Sequence, residues 1–153
     1  MKLRTVLLAL TICLLALSGC AGRATGDPIT DAEAPDWGLT LTAQDVTPTG
    51  MTLAWTLEDM SIARDLMTGA AYELQVNRSG KWYRVGYKPS LIDRAWPSVG
   101  LGFFAGSGSW EINWENLYGK LPRGTYRIVK EIMMRRDTGG YDASLLYAGF
   151  VIG

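Results

Sequence analysis

The sequence predicts an all-β fold, an antiparallel β-sandwich of seven or eight strands. Short segments in which apolar and polar residues alternate are separated by turns rich in Gly, Pro and Asn, which is typical of half-buried strands joined by tight loops. The clearest case is Met51, Leu53, Trp55 and Leu57, which alternate with Thr and Ala. A second observation is Tyr126, placed just after a Leu-Pro-x-Gly corner. In sandwiches such a tyrosine bonds back to upstream backbone and fixes a crossover between sheets.

The composition divides the chain into three parts. Lys2 and Arg4 precede an apolar run too short to span a membrane comfortably, so residues 1–19 are predicted to be a signal peptide. Residues 20–36 contain almost no large apolar side chain and are predicted to be a disordered, flexible tether, on the order of 20 to 25 Å long as a coil. Residues 37–153 are the predicted sandwich domain.

The signal segment ends in Leu17-Ser18-Gly19-Cys20, which resembles the bacterial lipobox. A lipobox implies cleavage before Cys20, diacylglycerol on its thiol and acylation of the new amino terminus. More than one acyl chain anchors a protein stably to a membrane. The alternative is an ordinary secretory peptide with a chance cysteine. The resemblance predicts a lipoprotein at the cell membrane, facing outward.

Composition also narrows the possible chemistry. The chain has no histidine, and its two cysteines, Cys13 and Cys20, lie in or at the end of the predicted signal segment. Without these residue types the folded part has no disulfide, no Ser-His-Asp or Cys-His mechanism and no usual zinc site. Removing Lys2 and Arg4 from 15 basic residues leaves 13 against 15 acidic ones, a net charge of −2. No basic face is indicated, so nucleic acid is not an expected partner, and no metal or cofactor is predicted.

Seven or eight strands are predicted along the sandwich domain, the one at residues 101–104 being short at best. Residues 58–69 do not alternate regularly and are predicted to be a long loop or a partly formed strand. Leu91, Ile92 and Trp96 lie in a loop that contains prolines, and we expect them to cap an open edge or end of the sandwich. The predicted strands are residues 39–43, 51–57, 72–76, 82–87, 101–104, 109–114, 125–134 and 144–152.

Six tryptophans raise the possibility of carbohydrate binding, because sugars stack on exposed aromatic rings. Trp55, Trp110 and Trp114 lie on alternating apolar faces and are predicted to be core residues. The better candidates for an exposed stacking surface are the other three, Trp37, Trp82 and Trp96.

Some charged residues invite a functional interpretation. Glu111 with Glu115, or Asp59 with Asp65, are candidate pairs for glycoside hydrolysis, but nothing in their spacing requires it, and solvated surface acids are expected. Lys130 interrupts the apolar face of the strand predicted at residues 125–134. Either a bulge turns it outward, or its stem runs along the core and releases the amine at an edge.

The run from Trp114 to Arg127 is the most specific segment of the chain, reading Trp-x-x-Leu-Tyr-Gly-x-Leu-Pro-x-Gly-Thr-Tyr-Arg. Together with further segments it makes residues 38–152 similar to a bacterial immunoglobulin-like domain common in lipoproteins and other surface proteins of Firmicutes. The resemblance implies an immunoglobulin-like antiparallel sandwich and an exported location, and it brings no catalytic residue. The further matching segments are residues 46–53, 72–74, 81–83, 95–96, 111–114 and 147–150.

Lipobox and resemblance together predict a non-enzymatic, lipid-anchored module outside the cytoplasm with a binding or scaffolding role at the cell envelope. Its expected partners are the membrane, through the N-terminal lipid, and an envelope protein or glycan. One alternative is an inhibitor of an envelope or secreted protease, since a looser likeness connects the corner to a Bacillus-type proteinase inhibitor. The export signal argues against an intracellular inhibitor. A carboxylate-dependent enzyme is the third possibility.

Loops of an antiparallel sandwich alternate between its two ends, here called the first and second pole. The loops expected at the first pole are residues 58–69, 105–108 and 135–142, and those at the second are residues 47–50, 77–81 and 116–124. The first pole is the predicted binding surface because interfaces favour Arg, Met and Tyr. The tether is expected to join the sandwich near it, which favours a partner in or near the envelope. The predicted binding residues are Arg64, Met67, Arg135, Arg136 and Tyr141.

Overall fold

The computed structural model describes residues 23–31, 33–90 and 95–153, which form ten β-strands, a 3₁₀ turn (Met60–Ile62) and one short helix, α1 (Glu115–Tyr118). The predicted signal peptide, Cys20, Leu91 and Ile92 lie outside these residues. None of the helices within them is long and apolar enough to cross a membrane. The strands are β1 (Ala24–Ile29), β2 (Leu39–Thr47), β3 (Gly50–Leu57), β4 (Leu66–Gly69), β5 (Glu73–Arg78), β6 (Lys81–Val85), β7 (Gly100–Gly102), β8 (Ser107–Asn113), β9 (Gly124–Arg135) and β10 (Tyr141–Ile152).

Two antiparallel sheets make up the fold. The smaller sheet has the order β2-β3-β8. In the larger sheet one edge of β9 pairs with β10 along the whole strand. The other edge of β9 pairs first with β5 and then with β4. Strands β6 and β7 pair with β5 and β4, and β1 pairs with β6. The predicted all-β antiparallel sandwich is confirmed, with ten strands against the seven or eight expected. β1 is additional, and β4 forms within residues 58–69, which were expected to be a long loop or a partly formed strand.

The prediction of a disordered tether over residues 20–36 is wrong where β1 forms. This strand pairs antiparallel with the edge of β6, with Ala24 opposite Val85. The carbonyl of Arg23 also accepts a hydrogen bond of 3.0 Å from the Gly86 amide. Backbone pairing with an open sheet edge needs few apolar side chains, so the polar composition of β1 does not prevent it. The folded part of the chain therefore begins earlier than predicted.

The alternation predicted for β3 is confirmed, since its inward residues Met51, Leu53, Trp55 and Leu57 are all buried. Trp114 is buried as well. Trp110 was predicted to be a core residue but is only half-buried, because β8 is the edge of the smaller sheet.

An aromatic stack lies at the centre of the core. The Phe150 ring of β10 is stacked between Trp114 and Tyr126, with ring centroids 5.4 Å and 5.7 Å apart. Trp114 follows the smaller sheet and the other two rings belong to the larger one, so the stack joins the two layers. Large rings supply much of the burial that holds a sandwich together.

Tyr126 forms the predicted tyrosine corner. Its ring is 0% exposed, and its hydroxyl donates a hydrogen bond of 2.9 Å to the carbonyl of Pro122. Burial raises the pKa of that hydroxyl. Gly124 belongs to the corner because a Cβ there would lie 3.1 Å from the Tyr126 ring. The bond ties the start of β9 to the chain that enters it.

Replacing Tyr126 with phenylalanine should lower the free energy of unfolding by about 0.5 to 1.5 kcal/mol, the net contribution of one hydrogen bond. The loss should reach about 3 kcal/mol if the Pro122 carbonyl stays buried without a donor. Urea unfolding measures the change. Tyr141→Phe, which alters a half-exposed tyrosine, is the matched control and should be neutral. Equal stabilities of Tyr126→Phe and the unmodified protein would contradict the structural role of the corner.

Candidate functional site

The loops predicted for the first pole lie together in the structure. The Leu57 amide donates a hydrogen bond of 2.8 Å to the Gly106 carbonyl, which joins the end of β3 to the turn before β8. The Arg135 amide donates one of 2.8 Å to the Asp65 carbonyl, which joins the end of β9 to the segment before β4. Three separate parts of the chain therefore contribute to one end of the sandwich.

Two of the predicted binding arginines are held by carboxylates at this pole. Arg135 donates hydrogen bonds of 3.0 and 2.6 Å to Asp65, and Arg136 pairs with Asp142. The Arg136 guanidinium holds the pKa of the Asp142 carboxyl below its usual value. Both arginine side chains remain more than half exposed. They are oriented by their partners and still reachable from solvent.

The remaining predicted residues of the first pole differ in exposure. Arg64 is exposed, and Tyr141 is 49% exposed directly opposite Arg135 in the β9–β10 register. Met67 is half-buried within β4, where it lies between Met133 and Gly102 of the neighbouring strands. Met67 therefore offers less to a partner than the sequence suggested.

Three of the four carboxylates considered for catalysis have structural partners, Glu115 being the fourth. Glu111 accepts a hydrogen bond of 2.9 Å from the Thr52 hydroxyl, and Asp59 accepts one of 2.8 Å from the Ser61 amide at the start of the 3₁₀ turn. Asp65 is the partner of Arg135. These acids fix local structure.

Arg127 forms a buried clamp on the outer face of the larger sheet. Its guanidinium lies 4.4 Å from the centroid of the Trp82 ring and 4.2 Å from that of Tyr147, an arrangement that cation–π attraction favours. It also donates hydrogen bonds of 2.7 Å to Asp31 and 2.6 Å to Gln75. The Arg127 guanidinium holds the pKa of Asp31 below its usual value. The clamp fastens the segment after β1 to β9.

A groove of about 320 Å³ lies beside this clamp. Within it Gln75 donates a hydrogen bond of 2.6 Å to Glu73, and Arg84 donates one of 2.7 Å to the same carboxylate. Glu73 and Arg84 of the groove thus form an ion pair with each other. Sequence reasoning missed this network because Asp31 and Arg127 are 96 residues apart and nothing in the sequence indicates that they pair.

Lys130 is the one buried lysine among the described residues, at 2% exposure. Its amine donates hydrogen bonds to the carbonyls of Gly69 and Ala71, the second at 2.9 Å. These carbonyls lie where β4 ends and β5 begins: Thr68 pairs with Ile132 and Glu73 with Val129, so residues 69–72 bulge opposite residues 130–131. The Lys130 stem runs along the core, in agreement with the second of the two interpretations given above. Its amine ends against the bulge between β4 and β5.

A cavity of about 500 Å³, here called the side cavity, opens between the two sheets beside this bulge. Aromatic rings form much of its wall: Trp96 packs 4.9 Å from Tyr72, and the Lys130 amine lies 5.7 Å from the centroid of Trp110. Trp96 therefore packs against an open edge, as predicted. The other lining residues are Ala70, Leu101, Ser109, Glu111, Ile112, Asn113 and Leu117.

The charge of Lys130 is uncompensated in this cavity. Desolvation lowers the pKa of its amine to about 8. No carboxylate in residues 23–31, 33–90 or 95–153 forms a salt bridge with it. Glu111, the acid on the cavity wall, is exposed and bonds to Thr52. The buried Lys130 ammonium group is therefore surrounded by two backbone carbonyls and an aromatic ring.

Two facing antiparallel sheets and a tyrosine corner define the class, an immunoglobulin-like sandwich. The family model described as a bacterial Ig-like domain matches residues 35–147. The chain belongs to this family, which confirms the resemblance carried by the run from Trp114 to Arg127.

Other comparisons add little. Among solved structures, the soluble domain of PmoD from Methylocystis sp. ATCC 49242 is similar over 82% of this chain and 98% of that one, at 15% identity and a TM-score of 0.38. A similarity at that score carries no argument about function. No curated protein sequence matches the chain.

Proposed function

We propose that this protein is a lipid-anchored immunoglobulin-like module outside the cytoplasm, which binds a protein or glycan partner at the cell envelope through its first pole. The observation that supports binding there is the exposed surface itself. Tyr141 and Met60 are 49% and 44% exposed, and Arg64, Arg135 and Arg136 are exposed in the loops of the same pole. Tyr, Met and Arg are the residues that interfaces use as anchors. We further propose that the protein is of the surface-lipoprotein type.

The docked N-terminal segment bears on how the anchor would hold the domain. Arg23 is already bonded to Gly86 beside the sandwich, and it is the third residue after Cys20 along the chain. Three extended residues span about 10 Å at most. A lipid on Cys20 would therefore keep the sandwich close to the membrane surface, nearer than the 20 to 25 Å expected of a free coil. This supports a partner within the envelope.

Replacing Cys20 with alanine should remove the lipid, because the thiol is the attachment point that the lipobox implies. We expect the variant to accumulate as an uncleaved precursor or to lose its acyl label after growth with a fatty-acid analogue. The matched control is Ser18→Ala, which keeps the cysteine and should keep the label. An unchanged label on Cys20→Ala would rule out this anchor.

Replacing Arg136 and Tyr141 together with alanine should abolish capture of the partner. The assay is a pull-down from envelope extract, with the affinity tag placed after Gly153 so that β1 stays intact. The melting temperature should change little, because the Arg136–Asp142 pair is solvent-exposed and exposed pairs contribute little to stability.

The matched control changes two basic residues at the second pole. Arg78 and Lys81 flank the β5–β6 turn and are both exposed. Their replacement by alanine should leave capture intact. Full capture by the Arg136/Tyr141 variant, with loss in the Arg78/Lys81 variant, would instead move the binding surface to the second pole.

A further inference from the structure

We propose that the side cavity is a binding site for a small aromatic anion, a molecule that joins a flat apolar ring system to one anionic oxygen group. The site is independent of the partner surface at the first pole, since it lies on the open side of the sandwich between β8 and the β4–β5 bulge. Its ligand would place the ring against the aromatic wall and the anionic group toward Lys130.

The shape of the site follows from the strand pairing. At residues 69–72 the larger sheet bulges away from β9, and β8 is the edge of the smaller sheet, so neither layer closes this side. The opening of about 500 Å³ is within the range of small-molecule pockets, about 300 to 1,000 Å³. Its volume is enough for a two-ring compound.

The walls favour a flat apolar body. Trp110, Trp96 and Tyr72 present large rings, and Leu101, Ile112 and Leu117 supply aliphatic surface between them. Aromatic rings pack well in offset-stacked or edge-to-face geometries, and a ligand ring adds such contacts. Trp110 is half-buried, so part of its side chain is exposed.

The charge of the site selects an anion. A buried ammonium group is stabilised much less by neutral carbonyl oxygens than by a carboxylate. The hydrogen-bond partners of the Lys130 amine are both carbonyl oxygens. The protonated amine has three N–H donors. Two of them donate to the carbonyls of Gly69 and Ala71, which leaves one for a ligand oxygen. The bulge residues Gly69, Ala70 and Ala71 add no charge, and Glu111 and Tyr72 are the titratable groups of the wall. The Glu111 carboxylate is exposed and accepts a hydrogen bond from Thr52, so the charged group that an incoming anion would meet inside the cavity is the Lys130 ammonium.

Two probes of equal shape separate the charge from the apolar wall: 2-naphthoate and the neutral 2-naphthamide. We would titrate each probe into the full-length protein in detergent by calorimetry. The matched variant is Lys130→Met, titrated in the same detergent. Naphthoate should bind the unmodified protein, and its Kd should rise at least tenfold in Lys130→Met. Naphthamide should bind the two proteins with Kd values within twofold of each other.

A second variant keeps the test decisive if Lys130→Met does not fold. Leu101→Trp fills the cavity from β7 without touching the lysine, and it should abolish naphthoate binding while the melting temperature stays close to that of the unmodified protein. Naphthoate binding that survives Leu101→Trp would overturn the proposal. So would equal naphthoate affinity in Lys130→Met, or no binding to the unmodified protein at millimolar concentrations.

Discussion

Trp114→Ala should lower the free energy of unfolding by about 3 to 5 kcal/mol, the usual cost of removing a buried tryptophan. The side chain is 0% exposed and stacks on Phe150. Its indole N–H donates a hydrogen bond of 2.9 Å to the Pro48 carbonyl. Alanine would leave a cavity between the two sheets, and the Pro48 carbonyl would keep only the hydrogen bond of 2.8 Å from the Leu121 amide.

Urea unfolding followed by far-ultraviolet circular dichroism measures this loss without relying on tryptophan fluorescence. Trp114→Phe is the matched control. Phenylalanine keeps a ring against Phe150, loses only part of the side-chain volume, and loses the hydrogen bond to Pro48. Its cost should fall between those of the unmodified protein and Trp114→Ala. A loss below about 1.5 kcal/mol for Trp114→Ala would mean that the core collapses around the missing ring.

Most of this fold could be predicted because half-buried antiparallel strands leave a period of two in the sequence. Strands β2, β3 and β8 follow that pattern, and the corner at Tyr126 has its own local signature of Pro and Gly. Both signals are local, so one sequence suffices to read them.

The strands that the sequence did not predict depend on distant contacts. β1 reads Ala-Thr-Gly-Asp-Pro-Ile and has no apolar face, so its position is set by backbone pairing with β6 and by Asp31 on the Arg127 clamp. β4 is four residues long and follows a charged turn, which hides any alternation. Composition alone therefore described residues 24–31 as a tether.

The side cavity shows the same division between local and distant information. The period of β9 put Lys130 on the buried face beside Ile128 and Ile132, and this much was visible in the sequence. The acceptors of its amine, Gly69 and Ala71, lie about sixty residues earlier and are backbone carbonyls, which leave no trace in residue type. The bulge that exposes them is a feature of sheet register, so only the structure reveals the site.

Lys130 should make the protein more stable as the pH rises from 7 to 9.5. Its pKa is about 8 in the folded protein, against 10.5 for an ordinary lysine, because burial penalises the charged amine. Between those two values the folded state has lost a proton that the unfolded state still holds, so raising the pH favours folding. The gain over this interval is about 2 kcal/mol.

The measurement is the free energy of unfolding in urea at pH 7.0, 8.0, 9.0 and 9.5, for the unmodified protein and for Lys130→Met. Burial raises the pKa values of Tyr118, Tyr126 and Tyr147, which lowers stability slightly as the unfolded tyrosines begin to ionise near the top of this interval. That effect is common to both proteins and cancels in their difference. The difference should therefore grow by about 2 kcal/mol in favour of the unmodified protein. Parallel pH profiles would show that Lys130 keeps its proton in the folded state up to pH 9.5, which would require an anionic partner in addition to the neutral carbonyls of Gly69 and Ala71.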